Sequence, residues 1–315
     1  MKKVLKWVAI VALVLCSIGL AAIFKIYYDI KSTAQELYVP LKDEISIKRV
    51  EAVDVTAKEP FSALILGVDE REGDVGRSDT MIVLTVNPTL KTTRMLSIPR
   101  DTYTEIVGEG FKDKINHAYA FGGIEMAMKT VENLLDIPID YVAQVNMESF
   151  IDIVDIVGGI TVNNTLAFDY EGEAFPIGEL DLDGEKALKY VRMRYDDPEG
   201  DFGRQNRQKQ VIQGVLQEAI SVNTVLNYQS IFKTLEENVQ MNVKFDDLLS
   251  IQKNYAGSFK NIEQLYLNNG TGKMMNSIYY YMTNDSELQE IQKILKGDYD
   301  NWKSFGYSGG LCSGK

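Results

Sequence analysis

The sequence predicts an α/β layered domain that follows one N-terminal membrane-spanning helix. Two patterns predict the domain. Short apolar runs have the length of buried strands, and stretches with the 3.6-residue period of amphipathic helices come between them. A third observation predicts the anchor, because residues 7–24 contain no charged side chain. The chain has 315 residues, of which 45% are hydrophobic and 25% charged, and this is enough to build a substantial core.

The N-terminal apolar run, WVAIVALVLCSIGLAAIF, is 18 residues long, near the lower limit for a helix that crosses a bilayer. Lys2, Lys3 and Lys6 precede it, and positive residues stay on the cytoplasmic side. A cleaved signal peptide is the competing interpretation, but the apolar run continues beyond the small residues Ser17 and Gly19. We therefore expect a single-pass protein of the cell membrane, with a cytoplasmic N-terminus and an extracellular domain.

The regular elements of the domain are predicted from residue 61 onward. Strands are expected at 61–68, 80–86, 92–98, 139–145, 160–164 and 262–267. Helices are expected at 124–135, 147–157, 204–220, 225–238, 245–256 and 286–295, with a helical turn capped by Asp183. The predicted boundaries are 1–6 for the cytoplasmic end, 7–26 for the transmembrane helix, 27–60 for an extracellular stalk, 61–300 for the domain and 301–315 for a flexible tail.

Charge and composition exclude several classes of function. The formal net charge is −12, which argues against nucleic acid as a partner, because nucleic acid requires a broad basic surface. Cys16 and Cys312 lie near opposite ends of the chain, so neither a disulfide nor a two-cysteine zinc motif is expected. His117 is the only histidine, and a lone histidine is more often structural than catalytic.

Four of the nine arginines lie in the stretch YVRMRYDDPEGDFGRQNRQKQ, at residues 190–210. Arginine binds phosphate and carboxylate groups through two parallel hydrogen bonds, so an acidic chain that concentrates arginine here predicts a local anion site. Alternation of apolar and polar residues around Arg192 and Arg194 predicts an extended segment with both guanidinium groups on one face. Taken alone, these two arginines are better explained by a solvated surface strand.

The residues after that segment strengthen the prediction of an anion site. Gly203 lies at the predicted start of a helix, where unpaired backbone N–H groups and the helix dipole favour an anion. Arg204, Arg207 and Gln208 have the i, i+3, i+4 spacing of a single ridge on that helix. Asp201 is placed to hold an arginine through a charge-assisted hydrogen bond.

A second polar cluster surrounds the gap between the first two predicted strands. Asp69 follows the first strand, and Arg77 and Asp79 precede the next, in LGVDEREGDVGRSDTM. Carboxylates at neighbouring strand ends suit Mg²⁺, which takes oxygen ligands and often bridges to phosphate. The alternative is that both aspartates only cap turns. Arg100 follows the third strand in SIPRD, and Lys114 lies in FKDKINHAY.

Together these segments resemble the LytR-CpsA-Psr family of envelope glycopolymer transferases. The matching pieces, in family order, are ILGVDER, GRSDTM, SIPRDT, KINHAY, VGGI, LDGEKALKYVRMR and DPEGDFGRQNRQKQ. They cover about residues 61–220, and the single N-terminal anchor fits as well. The resemblance implies an α-β-α layered domain with a central mixed sheet, whose apolar interior holds a prenyl chain.

The resemblance also implies an activity and its residues. Family members move a glycopolymer, such as wall teichoic acid or a capsule precursor, from a polyprenyl-pyrophosphate carrier to the 6-hydroxyl of N-acetylmuramic acid in peptidoglycan. The product is a phosphodiester, and polyprenyl phosphate leaves. By motif position, Asp69 and Asp79 would bind Mg²⁺. Catalytic roles are expected for Arg77, Arg100, Arg192, Arg194, Asp201 and Arg204, and substrate contacts for Lys114, Gln208 and Arg207.

Two other functions remain open from the residues alone. A pyrophosphatase would use the same anion clamp with water as the acceptor. A membrane-anchored regulator or lipid-binding scaffold would not need the pair of Asp69 and Asp79. Loss of the lipid pyrophosphate in the presence of metal would separate this second alternative from both enzymes.

Overall fold

The computed structural model describes residues 31–32, 35, 37–42, 45–68, 76–219 and 239–299. Fourteen strands and six α-helices have both ends within these ranges. The strands are β1 Phe61–Val68, β2 Ser78–Asn87, β3 Thr92–Ser97, β4 Tyr103–Glu105, β5 Lys112–Lys114, β6 Tyr141–Val145, β7 Ile160–Asn164, β8 Phe168–Tyr170, β9 Glu173–Phe175, β10 Gly178–Leu182, β11 Val239–Met241, β12 Ile262–Tyr266, β13 Thr271–Met275 and β14 Ile278–Met282. The helices are α1 His117–Leu135, α2 Met147–Ile156, α3 Gly184–Arg192, α4 Asp201–Ala219, α5 Phe245–Tyr255 and α6 Asp285–Lys296.

Six strands form one mixed sheet in the order β11-β6-β1-β2-β3-β12. β1 pairs parallel with β6 and antiparallel with β2, and β3 pairs antiparallel with β2 and parallel with β12. β1, β3, β6 and β12 therefore run in the same direction, and their carboxyl ends meet at one edge of the sheet. Loops at this edge are the usual place for ligand sites in α/β domains.

Helices cover both faces of the sheet, as the alternation of side chains along its strands requires. On β1, Leu64 and Leu66 face a core that includes residues of α1 and α6. On β2, Ile82 and Leu84 face the other core, which includes residues of α5. The structure is thus the predicted α/β fold with helices on both faces of a central mixed sheet.

A smaller unit packs beside the second face and supports α4. It contains the antiparallel pairs β7–β10 and β8–β9 together with α3, and its core includes Phe175, Tyr190 and Val211. α3 approaches α2 closely at Gly184, where an added Cβ would lie 2.4 Å from the carbonyl oxygen of Ile151. Glycine is therefore required at residue 184.

Most long predicted elements are confirmed with shifts of a few residues at their ends. β1 has the predicted bounds, and α2, α5, α6 and β12 differ from them by one or two residues. The sequence missed the short hairpins β4–β5, β8–β9 and β13–β14, because strands of three to five residues carry little periodic signal. The predicted helix at 225–238, the apolar run at 7–24 and the tail at 301–315 lie outside the described residues. Within the described ranges, no helix has both the length and the apolar character needed to span a bilayer.

The extended segment predicted around Arg192 and Arg194 is wrong. Asp183 caps α3 by accepting a hydrogen bond from the Lys186 backbone N–H at 2.9 Å, and the helix continues to Arg192. The buried residues Ala187, Tyr190 and Val191 have the i, i+3, i+4 spacing of a helix face. Three alternating residue pairs were too short a window to distinguish a strand from this pattern. Arg192 ends the helix, and Arg194 lies in the turn beyond it.

Part of the segment assigned to the stalk packs against the domain. Leu37 and Val55 are almost completely buried in the second core. Arg49 forms a buried ion pair with Asp140, with an Nη2–Oδ2 distance of 2.8 Å, and side-chain exposures of 2% and 3%. Packing of the domain therefore begins well before residue 61. The sequence did not indicate this, because the few apolar residues of the segment are separated by lysine and glutamate residues.

Substitution of Arg49 by Met should therefore destabilise the domain. It would leave the Asp140 carboxylate buried without its counter-ion, which typically costs about 3–5 kcal/mol of unfolding free energy. Urea unfolding of the purified chain measures this change. Lys48→Met is the matched control, because the neighbouring Lys48–Asp136 pair is partly exposed and should contribute less than about 1 kcal/mol. Equal unfolding midpoints for the two variants would contradict the stabilising role assigned to the buried Arg49–Asp140 ion pair.

Candidate active site

The predicted polar residues gather at the edge where the parallel strands end. β2 begins there with Ser78 and Asp79, β3 leads into Arg100, and α4 begins beside the same edge. The first cluster contains Asp79, Arg100, Asp101 and Lys114. Arg100 Nη1 lies 2.8 Å from Asp79 Oδ2, and Lys114 Nζ lies 2.6 Å from Asp101 Oδ1. Each of these side chains is between 18% and 31% exposed, so a ligand in solvent can reach them.

The Arg100 guanidinium is held in a field of three carboxylates. Burial lowers its pKa, but the charge and hydrogen bond of Asp79, with the charges of Asp101 and Asp201, outweigh burial and raise the pKa above its ordinary value. Arg100 is therefore permanently charged and held in a fixed orientation. A fixed cation of this kind suits an anionic ligand, because little reorganisation is needed when the ligand binds.

Asn116 adds an oxygen atom beside Asp79 that the sequence analysis did not identify. Its Nδ2 lies 3.5 Å from Asp79 Oδ1. Its Oδ1 is buried and has no hydrogen-bonding partner among the residues that the structure describes, and the same is true of the Ser78 hydroxyl. Orphaned buried oxygens in native proteins require an explanation, such as an absent ion or ligand.

These atoms provide a test of the predicted magnesium site. A carboxylate and an amide oxygen are ligand types that Mg²⁺ accepts, so the residues at Asp79 fit the ion. Asp69 lies outside the described residues. Within the described part of the chain, no cluster of three or more Asp, Glu, His or Cys side chains is placed to hold a metal.

The second cluster lies at the start of α4 around Asp201. Asp201 Oδ1 accepts a hydrogen bond from Arg204 Nε at 3.0 Å and forms an ion pair with Arg204 Nη2 at 2.9 Å, and Arg194 Nε is 3.6 Å away. Asp201 Oδ2 accepts a hydrogen bond from Gln205 Nε2 at 3.0 Å. Asp201 therefore orients Arg204 and, more loosely, Arg194, as the sequence predicted.

The two clusters form one site. Gln208 on α4 donates a hydrogen bond from Nε2 to Thr80 Oγ1 at 2.9 Å, and Thr80 adjoins Asp79 on β2. Asp201 is also among the charges that raise the pKa of Arg100. The structure thus brings together Asp79, Arg100 and Lys114 from strand-end loops with Asp201, Arg204 and Gln208 from α4.

Arg207 does not face this site. Its side chain is 6% exposed and pairs with Asp197, at an Nη1–Oδ2 distance of 2.5 Å. It also donates hydrogen bonds to the backbone carbonyls of Tyr190 and Met193. The Asp197 carboxylate lies against Gly203, where a Cβ would come within 1.9 Å of Oδ2. The place beside Gly203 that the sequence assigned to an external anion is therefore filled by Asp197.

Arg77 and Arg192 are exposed at the surface. Neither forms a hydrogen bond or an ion pair with another residue that the structure describes. Arg77 lies just before β2, next to the residues that the structure does not describe, and Arg192 is the last residue of α3. Both guanidinium groups keep their hydrogen-bonding capacity for a ligand.

The lone histidine has a structural partner, as expected. His117 Nδ1 lies 2.7 Å from Asp113 Oδ2, and Tyr280 donates a hydrogen bond to Asp113 Oδ1 at 3.1 Å. These contacts fix β5 to the start of α1 and to β14. They place Lys114, the next residue after Asp113, where it pairs with Asp101.

An apolar cavity of about 200 Å³ opens next to the polar site. It lies between the sheet and helices α2, α3 and α4, and Thr80 and Gln208 line both the cavity and the site. Its other lining residues are Ile65, Gly67, Val68, Ala143, Val145, Asn146, Phe150, Ile153, Val154, Leu188, Val191, Val211, Ile212, Val215 and Leu216. A hydrocarbon chain fits such a lining, and a charged headgroup attached to it would lie among the arginines.

Comparison with known proteins places this fold and site in one family. The LytR_cpsA_psr family model matches residues 24–297. The chain belongs to the LytR_cpsA_psr family. It is 54% identical over 251 residues to the polyisoprenyl-teichoic acid–peptidoglycan teichoic acid transferase TagU of Bacillus subtilis strain 168, covering 80% of this chain and 82% of TagU.

Solved structures of other family members have the same fold. The crystal structure of B. subtilis TagU matches with a TM-score of 0.64 and 50% identity, over 77% of this chain and 98% of TagU. The family protein YwtF (TagT) with bound octaprenyl pyrophosphate lipid matches with a TM-score of 0.66 and 32% identity, over 83% of this chain and 99% of that chain.

The cavity of this family member was not identified by sequence reasoning. On α4, Val211, Ile212, Val215 and Leu216 have the i, i+1, i+4, i+5 spacing of an apolar helix face. The pattern was visible, but a helix face that packs on protein has the same appearance as one that lines a cavity. Asn116 lay within a recognised motif, and its unpartnered oxygen becomes evident only from its burial.

The arginines of α4 should separate into two kinds when each is replaced by Lys. Arg207→Lys loses the planar donor arrangement that contacts two buried carbonyls and Asp197, so unfolding free energy should fall by about 2–3 kcal/mol. Arg204→Lys changes a solvent-reachable group and should alter stability by less than about 0.5 kcal/mol. Chemical denaturation of both variants measures the difference. Similar losses for both would remove the structural role assigned to Arg207.

Proposed function

We propose that the protein transfers a glycopolymer of the wall teichoic acid or capsule type from a polyprenyl-pyrophosphate carrier to peptidoglycan. The observation that carries this proposal is the junction of an apolar cavity with an arginine-rich anion site at Thr80 and Gln208. A prenyl chain requires the first surface and a pyrophosphate the second. The relatives TagU, a teichoic acid transferase, and TagT, whose structure contains octaprenyl pyrophosphate lipid, support the same substrate class.

The proposed reaction is displacement at phosphorus. The 6-hydroxyl oxygen of a muramic acid residue attacks the phosphorus that carries the glycan, and the P–O bond to polyprenyl phosphate breaks. The hydroxyl proton is released to solvent, and the product is a phosphodiester between glycan and peptidoglycan. Phosphoryl transfer depends mainly on positioning and charge neutralisation, so a site rich in guanidinium groups and poor in histidine is adequate for it.

The role proposed for each residue in binding the pyrophosphate follows from its position in the site. Arg100 and Arg204, oriented by Asp79 and Asp201, would bind the pyrophosphate oxygens through fixed donors. Lys114 and Gln208 would add contacts on either side. Three further arginines would move to contact the headgroup. Arg77 and Arg192 form no ion pair within the described part of the chain, and Arg194 is held only loosely, at 3.6 Å from Asp201.

Magnesium would be held by Asp79 and Asp69, with the Asn116 oxygen beside Asp79. When bound, the ion would neutralise phosphate oxygens and so assist departure of polyprenyl phosphate. The ion pair between Asp79 and Arg100 limits how this carboxylate can turn. Asp79 would therefore serve both the metal and the guanidinium.

We propose further that the protein is anchored in the cytoplasmic membrane by residues 7–26, with the domain outside. Lys2, Lys3 and Lys6 support this orientation. A prenyl carrier lies in the bilayer, so an anchored domain would meet its substrate at the membrane surface.

The proposed transfer can be tested by product analysis. The purified full-length chain is incubated with polyprenyl-pyrophosphate teichoic acid precursor, Mg²⁺ and peptidoglycan oligomers, and the products are identified by mass spectrometry. We expect the phosphodiester conjugate, with loss of product when EDTA replaces Mg²⁺ or Asp79 is replaced by Ala. Arg204→Lys should slow transfer by about 30- to 1000-fold, which corresponds to about 2–4 kcal/mol of transition-state stabilisation.

Other products would identify other functions. Hydrolysed carrier without conjugate would indicate a pyrophosphatase, and an intact carrier that remains bound would indicate a lipid-binding scaffold. Transfer that persists at the wild-type rate in EDTA, or in Asp79→Ala with unchanged dependence on magnesium, would contradict the metal assignment.

The apolar cavity gives a separate prediction about lipid binding. Val215→Phe would fill part of the cavity and should weaken octaprenyl pyrophosphate binding by about tenfold or more. The melting temperature should change little, because the added ring occupies an existing void. Ile177→Phe is the control, since Ile177 is 69% exposed at the surface away from the cavity. If lipid affinity is the same in both variants, the cavity does not hold the prenyl chain.

A further inference from the structure

A second cavity, of about 510 Å³, lies beside the start of α4. It is bounded by the ends of β3 and β12 and by the first turns of α4. Its lining includes Ser97, Phe202, Gln205, Lys209, Tyr266 and Asn268. None of these residues was assigned a contact with the pyrophosphate, although Gln205 hydrogen-bonds to Asp201, and the cavity has a different lining from the apolar one.

Lys209 is an unusual member of this lining because it is only 1% exposed. Its ammonium lies 3.5 Å from the centre of the Tyr266 ring, and it has no hydrogen-bonding or ion-pair partner in the described part of the chain. Burial lowers its pKa to about 8, so the amine is still mainly charged at neutral pH. A buried cation without a counter-ion is unfavourable, and a cation–π contact offsets only part of that penalty.

The other polar groups of the cavity are suited to hydrogen bonding with a sugar or a peptide. Gln205 and Asn268 carry amides, which both donate and accept hydrogen bonds. Glu199 lies at the same cavity, but its carboxylate accepts a hydrogen bond from Asn206 Nδ2 at 3.2 Å and forms no ion pair with Lys209. Among the described residues of this cavity, Glu199 carries the carboxylate, and it leaves the Lys209 ammonium without a counter-ion.

The cavity is one side chain away from the proposed site of phosphoryl transfer. Gln205 donates from Nε2 to Asp201 Oδ2, and Asp201 Oδ1 accepts from Arg204. Ser97 lies three residues before Arg100 on the same chain segment. A molecule bound in the cavity would thus extend toward the arginines past Gln205.

We propose that this cavity is the acceptor subsite and binds a peptide-bearing glycan through a carboxylate of its peptide, with Lys209 as the counter-ion. The inference rests on the proposed transfer function, because it assigns this cavity to the acceptor of that reaction. A single ammonium suits a monoanionic carboxylate, whereas the more highly charged pyrophosphate is served by the several guanidinium groups of the neighbouring site. The amides around Lys209 hold the neutral parts of the same ligand.

A matched pair of probes tests the carboxylate. N-acetylmuramyl-L-alanyl-D-glutamate and its diamide differ only in their carboxylates, and calorimetry with the full-length chain in detergent measures the affinity of each. We expect the acid to bind about tenfold more tightly or better. Lys209→Met, which keeps the side-chain length and removes the charge, should abolish this preference. Lys253→Met, at an exposed lysine of α5, should keep it.

Transfer kinetics then distinguish this inference from the function on which it rests. For Lys209→Met, the KM for the acidic acceptor should rise by about tenfold while the KM for the lipid-linked donor stays unchanged. Equal binding of the acid and the diamide by the wild-type chain, or binding of neither, would overturn the subsite without requiring any variant to fold. A preference for the acid in a wild-type chain that transfers nothing would support the subsite and refute the proposed reaction. Wild-type transfer with an unchanged acceptor KM in Lys209→Met would leave the function and refute the subsite.

Discussion

The buried contact between Arg207 and Asp197 fixes the position of helix α4, on which the rest of the site depends. Arg207 holds the carbonyls of Tyr190 and Met193, so the end of α3 is attached to the first turns of α4. Asp197 lies against Gly203, and only glycine leaves room for it. Arg204 and Gln208 are neighbours of Arg207 on the helix. Their directions into the site are therefore set by an arginine that is itself buried and paired with Asp197.

Helix α4 presents a different chemistry on each of its faces. Arg204 faces Asp201 and the anion site, Val211 and Val215 line the apolar cavity, and Lys209 lines the second cavity with Gln205. Gln208 lies between the first two, where it donates to Thr80 on β2. One rigid element thus fixes the relative positions of three surfaces. In the proposed reaction, these surfaces correspond to the headgroup, the prenyl chain and the acceptor, so a single helix sets the geometry of the transfer.

The sequence predicted those features that depend on local patterns. A continuous apolar run predicted β1, the turn NPTLK predicted the return of the chain as β3, and Asp183 predicted the start of α3, because burial patterns, turn residues and capping act over a few residues. Asp201 was correctly expected to hold an arginine, since i, i+3 spacing on a helix brings such side chains together. Arg192 and Arg194 were misassigned to a strand because six residues fit both periods. The burial of Arg207 and Lys209 could not be predicted from the pattern, because it depends on contacts with α3 and β12 that are distant in sequence.

In the proposed site, the groups that bind the lipid chain are different from those that act on the reacting phosphate. The apolar cavity contacts a part of the substrate that does not change during the reaction, so it would stabilise the ground state and the transition state equally. Arg100 and Arg204 face the group whose charge is redistributed, so their contribution can grow in the transition state. Both arginines are paired with carboxylates before any ligand arrives, Arg100 with Asp79 and Arg204 with Asp201, and these contacts orient them in advance. An acidic protein can therefore build an anion site, because its carboxylates orient the guanidinium groups. Each guanidinium group keeps N–H donors that do not contact a carboxylate, and the concentrated negative charge of a pyrophosphate attracts these donors.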